Sequence, residues 1–254
     1  MCLIFLSYHQ NQQFPLIVAA NRDEFYSRPS EPIHQWQDNK NIIAGRDIEK
    51  GGSWLGISLD GRFAAVTNFR SGQNIENKKS RGELILNLLS SDKPDVFIHS
   101  ELSASLREYN DFNCLFYHQH QLYYLSNKNK VFASRLKPGV YGLSNALLDT
   151  PWPKLKKGKT DFSRALQNIS DRKAFWTLLS DDQPARDQDL PDTGVSPTWE
   201  KLLSSRFIRS DVYGTRSSTL LYWSVDGEVQ LMERRFDNNG FIDEQEISVQ
   251  ITEN

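Results

Sequence analysis

Two stretches near the start of this chain, Leu3 to Leu6 and Leu16 to Ala20, are apolar at every position rather than at every second one. A short, wholly apolar run reads as a strand buried on both faces. Only a brief link containing the polar run His9 to Gln13 separates the two. That brevity makes them neighbours, and an antiparallel pair is buried twice only if another layer covers each side. The pattern favours a layered α/β sandwich.

The rest of the chain supplies the other layers. Trp54 to Phe69 holds two β-like runs around Asp60-Gly61, a strong hairpin signal because a type I′ turn needs positive φ at both central residues. Further hairpins are predicted from Cys114 to Leu125, turning at His118 to His120, and from Thr219 to Met232, turning at Asp226-Gly227. Between them, Ser80-Arg81-Gly82-Glu83 has capping-box spacing and precedes Leu84, Ile85, Leu88 and Leu89 at helical intervals. Pro94 to Glu108 and Lys159 to Ser180 also read as amphipathic helices, and Asp181 to Pro197, with three prolines, as a surface loop. Strand pairs alternating with helices, without a strict βαβ order, predict antiparallel sheets with helices packed outside.

Composition narrows the function classes. The chain has 254 residues, 38% of them hydrophobic, with 14 Phe, 9 Tyr and 6 Trp spread along it, enough for a sizeable core. The formal net charge is -2 and no long basic stretch occurs, so nucleic acid is not an expected partner. Lys156, Lys157 and Lys159 read as a solvated cluster. No run approaches the roughly 20 apolar residues of a membrane span, and the start MCLIFLSYHQ lacks the features of a signal peptide. The expected location is the cytoplasm. There the two cysteines, Cys2 and Cys114, stay reduced, although one disulfide between them is compatible with the count.

Cys2 is the most informative position. Loss of the initiator Met1 would give it a free α-amine with a pKa of about 7.7–8.0 beside a thiol of about 8.5. One residue then supplies both nucleophile and general base. The plainer alternative is a small apolar strand residue. Asn21-Arg22-Asp23-Glu24 follows the second apolar run at its expected end, where an Asp can accept from an ammonium or thiol and an Arg can lower a thiol pKa; a solvated turn would also suit such a tetrad. Gly51-Gly52-Ser53-Trp54-Leu55-Gly56 lacks the lysine of a phosphate loop, so its glycines are assigned to a tight bend. Asn68 and Asn145 close short runs, as oxyanion donors or as turn residues. Arg216 opens a strand among small hydroxyl residues. The five histidines show no metal-ligand spacing beyond His118-x-His120, so no metal is expected.

Together these segments resemble the NRDE family, which includes the transport and Golgi organisation protein 2 of animals. The match rests on Met1-Cys2, the tetrad Asn21 to Glu24 and GGSWLG. Thr67-Asn68, Arg81-Gly82-Glu83, Gly142-Leu143-Ser144-Asn145, Pro151-Trp152-Pro153-Lys154 and Gly214-Thr215-Arg216 strengthen it. It spans essentially the whole chain and implies a single domain over residues 1–254. The resemblance further implies an N-terminal-nucleophile (Ntn) hydrolase-like fold, a four-layer αββα sandwich of mainly antiparallel sheets. By analogy with penicillin V acylase and bile-salt hydrolase, it implies Cys2, Asn21, Arg22, Asp23, Asn68, Asn145 and Arg216 as catalytic residues, with Glu24 and Trp54 binding substrate. The adjacency of Arg22 and Asp23 departs from the acylase pattern, which leaves their individual roles open. Two functions follow as expectations. One is a cysteine hydrolase of an amide or thioester acyl bond in a small molecule, needing no cofactor. The other is a non-catalytic carrier of haem, an acyl chain or acyl-CoA in the same cleft, with Cys2 as a haem-iron ligand.

Overall fold

The first two strands, β1 (Cys2–Tyr8) and β2 (Leu16–Phe25), pair antiparallel with Cys2 opposite Arg22 and Tyr8 opposite Leu16. The computed structural model describes residues 2–71 and 75–252. Every residue of β1 is buried, as consecutive apolar positions require. Next in chain order come β3 (Ser30–Gln35), β4 (Ile42–Asp47), β5 (Leu55–Ser58), β6 (Arg62–Asn68), β7 (Phe112–His118), β8 (Gln121–Ser126) and β9 (Ala133–Arg135). They form a second sheet whose spatial order follows the chain. The chain then returns to the first sheet as β10 (Gly139–Leu143), β11 (Tyr213–Trp223), β12 (Glu228–Asp237) and β13 (Gly240–Gln250), giving the order β10-β1-β2-β11-β12-β13. All strand pairs are antiparallel.

The two sheets stack on a core containing Ile4, Leu6, Val18, Ile57, Phe63, Leu115 and Trp223. On the outer face of the first sheet, Leu3, Phe5, Ile17 and Ala19 pack against Phe162 and Phe175 of the helices Pro153–Ala165 and Arg172–Leu179. On the outer face of the second, Ala64 and Phe116 pack against Leu84, Leu88 and Ile98 of the helix Arg81–Ser90 and the helical segment that follows it. Alternate residues of β1 thus feed two cores, and the arrangement is the four-layer αββα sandwich. Each fully buried Val, Leu, Ile or Phe side chain among these contributes roughly 1.5–3 kcal/mol.

Several sequence expectations need correction. The tetrad Asn21–Glu24 does not follow β2 but lies inside it, paired with β1 on one side and β11 on the other. At Asp60-Gly61 only Gly61 has positive φ (93°), and its N–H donates to the Ser58 carbonyl. The link is therefore a three-residue loop, Leu59 to Gly61, rather than a type I′ turn. Positive φ at both central residues occurs instead at Gln119 (47°) and His120 (56°), the turn joining β7 to β8. The predicted helix from Pro94 to Glu108 is helical throughout but changes pitch, with a π-helical stretch over Phe97–Leu102. The span Lys159 to Ser180 is two helices broken at Ser170-Asp171, and the first starts at Pro153, whose fixed φ suits the opening turn. Ser80 does cap the Arg81–Ser90 helix, accepting from the Gly82 N–H. Both cysteines are free. No helix among the described residues is long and apolar enough to cross a membrane.

Candidate functional site

Cys2 begins β1 and is nearly enclosed, at 9% exposure. Its thiol faces a cavity of about 470 Å³ at the same end of both sheets. Cys2, Arg22, Asp23, Glu24, Trp54 and Asn68 all line it. A larger depression, about 960 Å³, lies under the loop from Asp182 to Arg209, but its wall carries no cysteine or histidine. Chemistry points to the smaller cavity.

Local packing explains why these residues meet. Gly45 of β4 leaves room for Trp54, since a Cβ there would lie 2.4 Å from the indole. Trp54 directly precedes β5 and reaches across to the first sheet, where the Arg22 guanidinium sits 4.2 Å from the ring centroid. Gly52 lets the chain touch the start of the Arg81–Ser90 helix, because a Cβ there would lie 2.4 Å from the Gly82 carbonyl carbon. The Ser53 N–H donates to the Gly82 carbonyl at 3.3 Å. Gly52 and Gly82 therefore serve one contact, which sets the helix N-terminus and Arg81 against the cavity.

A polar chain joins the sheets at the same end. Asn113 Nδ2 donates to Thr67 Oγ1 (3.2 Å), Thr67 Oγ1 to the Ser144 carbonyl (2.6 Å), and Ser144 Oγ to the Cys2 carbonyl (3.4 Å). Asn145 Nδ2 donates to the Asn68 carbonyl at 2.8 Å. These bonds fix the end of β6, and with it Asn68, beside Cys2.

Burial dominates the electrostatics. It pushes the Cys2 thiol above its ordinary value; Asp23 and Glu24 push the same way and Arg22 opposes. Burial also raises the Asp23 carboxyl, against the pull of Lys154, a hydrogen bond from Thr215 Oγ1 (2.7 Å) and Arg22. Lys154 is itself buried, donates to the Leu203 carbonyl at 2.8 Å and is pulled down to about 8 by desolvation and the Arg70 charge. Arg70 in turn is held by Glu200 at 2.7 Å in a fully enclosed ion pair. Behind Arg22, between the sheets, Glu233 accepts from the Ile33 N–H and is pushed up to about 7 by burial.

Of the nine residues expected at the site, six share the cavity and three do not. Asn21 points to the helix layer, donating to the carbonyls of Leu179 and Arg206 and accepting from Ser218 Oγ. Asn145 acts on the Asn68 backbone, outside the cavity wall. Arg216 sits at a β-bulge and donates to the carbonyls of Phe25, Tyr26, Arg28 and Phe236, tying down the chain after β2. Residue reasoning missed Arg81, the Arg28–Asp47 pair and Lys154. Arg81 and Lys154 lie in the quoted Arg-Gly-Glu and Pro-Trp-Pro-Lys segments, but nothing local marks them as neighbours of Cys2. No group of three or more His, Cys, Asp or Glu that could hold a metal ion occurs among the described residues.

Comparisons with known proteins agree with this architecture. The family model for Transport and Golgi organisation 2 matches residues 1–238. The Transport and Golgi organization protein 2 homolog of Bos taurus is 35% identical over 259 residues, 92% of each chain, and the Mus musculus homolog 33% over 255, again 92% of each. Among solved structures, a Caenorhabditis elegans ortholog of N-acylethanolamine-hydrolyzing acid amidase superimposes with a TM-score of 0.51 at 11% identity, covering 87% of this chain and 92% of that one. A cysteine-to-alanine mutant of conjugated bile acid hydrolase from Clostridium perfringens gives 0.50 at 10% identity, covering 99% and 92%. At such identities the likeness establishes the Ntn-hydrolase fold and nothing finer.

Proposed function

This chain belongs to the Transport and Golgi organisation 2 (NRDE) family, and on that premise we propose that it is a cysteine hydrolase cleaving an amide or thioester acyl bond of a small molecule. The observation that carries the reading is the placement of Cys2, at the first position of a buried strand, facing a polar cavity with Asn68 and Asp23 in its wall. Met1, on whose removal the free α-amine depends, lies outside the described residues.

The raised thiol needs a base. The α-amine takes the thiol proton as sulfur bonds to the acyl carbon and the carbonyl electron pair moves onto oxygen. The Asn68 amide donates to that oxygen, with Asn145 holding the Asn68 backbone in place. Collapse breaks the bond to the leaving nitrogen or sulfur, which takes the proton from the ammonium. Water, deprotonated by the amine, then attacks the acyl-enzyme, releasing the acid and restoring the thiol. Asp23 and Arg22 set the charge around the amine and the thiol.

The carrier reading uses the same cavity and offers Cys2 to haem iron or the walls to an acyl chain. The wall contains Arg22, Arg28, Arg81, Asp23, Glu24 and Asp47, which suits a polar group better than a haem face or a hydrocarbon tail. We therefore place it second. The test is turnover of a panel of short acyl thioesters and N-acyl amides by the wild type, Cys2→Ser and Cys2→Ala. Loss of at least about 10²-fold in Cys2→Ala, and a loss of roughly 10²–10³ in Asn68→Ala, are expected. Equal turnover by wild type and Cys2→Ala rejects the reading.

A further inference from the structure

Among the arginines in the cavity wall, two stand apart. Arg28 is held by Asp47 at 2.7 Å and by Glu24 at 3.9 Å, and Lys79 by Glu108 at 2.6 Å. Arg22 and Arg81 make no ion pair among the described residues. Arg22 is 5% exposed, and its Nη1 is buried without a hydrogen-bond partner among those residues. Its guanidinium carbon lies over the Trp54 ring, 4.2 Å from the centroid. Arg81 makes one bond, from Nη1 to the Asp111 carbonyl at 3.2 Å. Burial pulls Arg81 below its ordinary value, the sign of a charge held away from water.

Leaving two guanidinium groups desolvated and unpaired is costly unless something else supplies the counter-charge. Among the described residues no carboxylate forms an ion pair with either group; Glu24 and Asp111 act on Arg81, and Asp23 and Glu233 on Arg22, only at longer range. Of the four carboxylates in the same wall, Asp23 accepts from Thr215, Glu24 accepts from the Phe25 N–H and faces Arg28, Asp47 is bound to Arg28, and Glu76 is solvent-exposed. Arg81 also opens a ten-residue helix whose first residues, Ser80 to Gly82, line the cavity, so the positive end of the helix adds to the same potential.

We propose that the ligand of the Cys2 cavity carries an oxyanion, a carboxylate or a phosphate, that binds against the guanidinium groups of Arg22 and Arg81. The proposal rests on the hydrolase reading for the role of Cys2, and it narrows the substrate to acyl compounds bearing an anionic group close to the scissile bond. A neutral acyl compound of the same length would leave both arginines unpaired and bind more weakly.

The experiment uses the full chain and reads alkylation of Cys2, located by peptide mass. The rate with iodoacetate is divided by the rate with iodoacetamide, and the ratio is compared with that of free cysteine at the same pH. The ratio is expected to exceed the free-cysteine value roughly tenfold in the wild type, to persist in Arg81→Lys and to fall toward the free value in Arg81→Gln. A second measurement needs no variant: protection of the wild type against iodoacetamide by hexanoylglycine, its neutral amide, or hexyl phosphate. Protection by either anion at concentrations where the amide gives none supports the proposal, and the stronger of the two identifies the anion. A wild-type ratio equal to that of free cysteine, or equal protection by the neutral amide, overturns it. Because alkylation needs no turnover, a protein that prefers the anion yet hydrolyses nothing discards the hydrolase and keeps the oxyanion site.

Discussion

Arg22 in one sheet lies over the ring of Trp54, at the edge of the other, with the guanidinium carbon 4.2 Å from the indole centroid. The contact closes the inter-sheet core at the end where Cys2 lies, and it exists because Gly45 has no side chain. Gly45→Ala would place a methyl group 2.4 Å from the ring, so Trp54 must move off Arg22. We expect a loss of about 1–3 kcal/mol in urea unfolding, together with a red-shifted tryptophan emission. An unchanged midpoint and spectrum would show that the stack is not braced by Gly45.

Glu233 gives the fold a pH dependence whose sign is fixed. Its carboxyl moves from 4.5 to about 7 because it is buried between the sheets, against the Ile33 N–H and the Arg235 and Arg22 charges. Between those values the folded protein keeps a proton that the unfolded chain has lost, so stability falls as pH rises. The slope from this group is about 1.4 kcal/mol per pH unit over that window. Glu233→Gln keeps an acceptor for Ile33 and removes the titration. The variant is expected to be more stable than the wild type above pH 7, with the gap closing toward pH 4.5. A gap that stays constant from pH 4.5 to 8 refutes this account.

The Arg70–Glu200 pair is enclosed, with 4% and 5% of the two side chains exposed. Removing one partner leaves an uncompensated buried charge, so Glu200→Gln should cost about 3–5 kcal/mol. The double change Arg70→Met with Glu200→Leu should recover most of that loss, because two apolar side chains need no counter-charge. Chemical denaturation of both variants checks the pair, and a double variant less stable than Glu200→Gln contradicts it.

How far the chain announced this structure depends on the range of the interactions. Consecutive apolar residues in β1 and β2 foretold double burial, and therefore a layered sandwich, because burial on two faces is written locally. The capping residue Ser80 was legible for the same reason. Strand β13 was not recognised, since its exposed edge position gives Phe241, Ile242 and alternating acids no consistent apolar face. The tetrad reads as lying beyond the strand end because its polarity breaks the apolar run, whereas Asn21 and Asp23 are buried within β2 and satisfied by residues about 160 to 200 positions away. Arg81 and Lys154 reach the neighbourhood of Cys2 only through tertiary packing, so spacing alone could not nominate them. Arg216 differs again: the acylase analogy places it at the site, whereas its Nε and Nη1 donate to backbone carbonyls outside the cavity wall.

The Cys2 thiol should titrate above the ordinary thiol range, as burial and the Asp23 and Glu24 charges dictate. Alkylation by iodoacetamide is then expected to reach half its limiting rate above about pH 8.5, the midpoint for a free thiol. A plateau at or below that pH would mean a thiolate already stabilised in the resting protein. Cys114, buried and without a neighbouring cation, should remain unlabelled throughout.

The N-terminal peptide of protein purified from its own host, mixed briefly with a reactive acyl thioester and quenched in acid, tests the nucleophile most directly by mass. The account predicts a peptide that begins at Cys2, with the acyl group on its sulfur and a free α-amine. A peptide still carrying Met1, or a Cys2 that never acquires the acyl group while substrate is consumed, would contradict it.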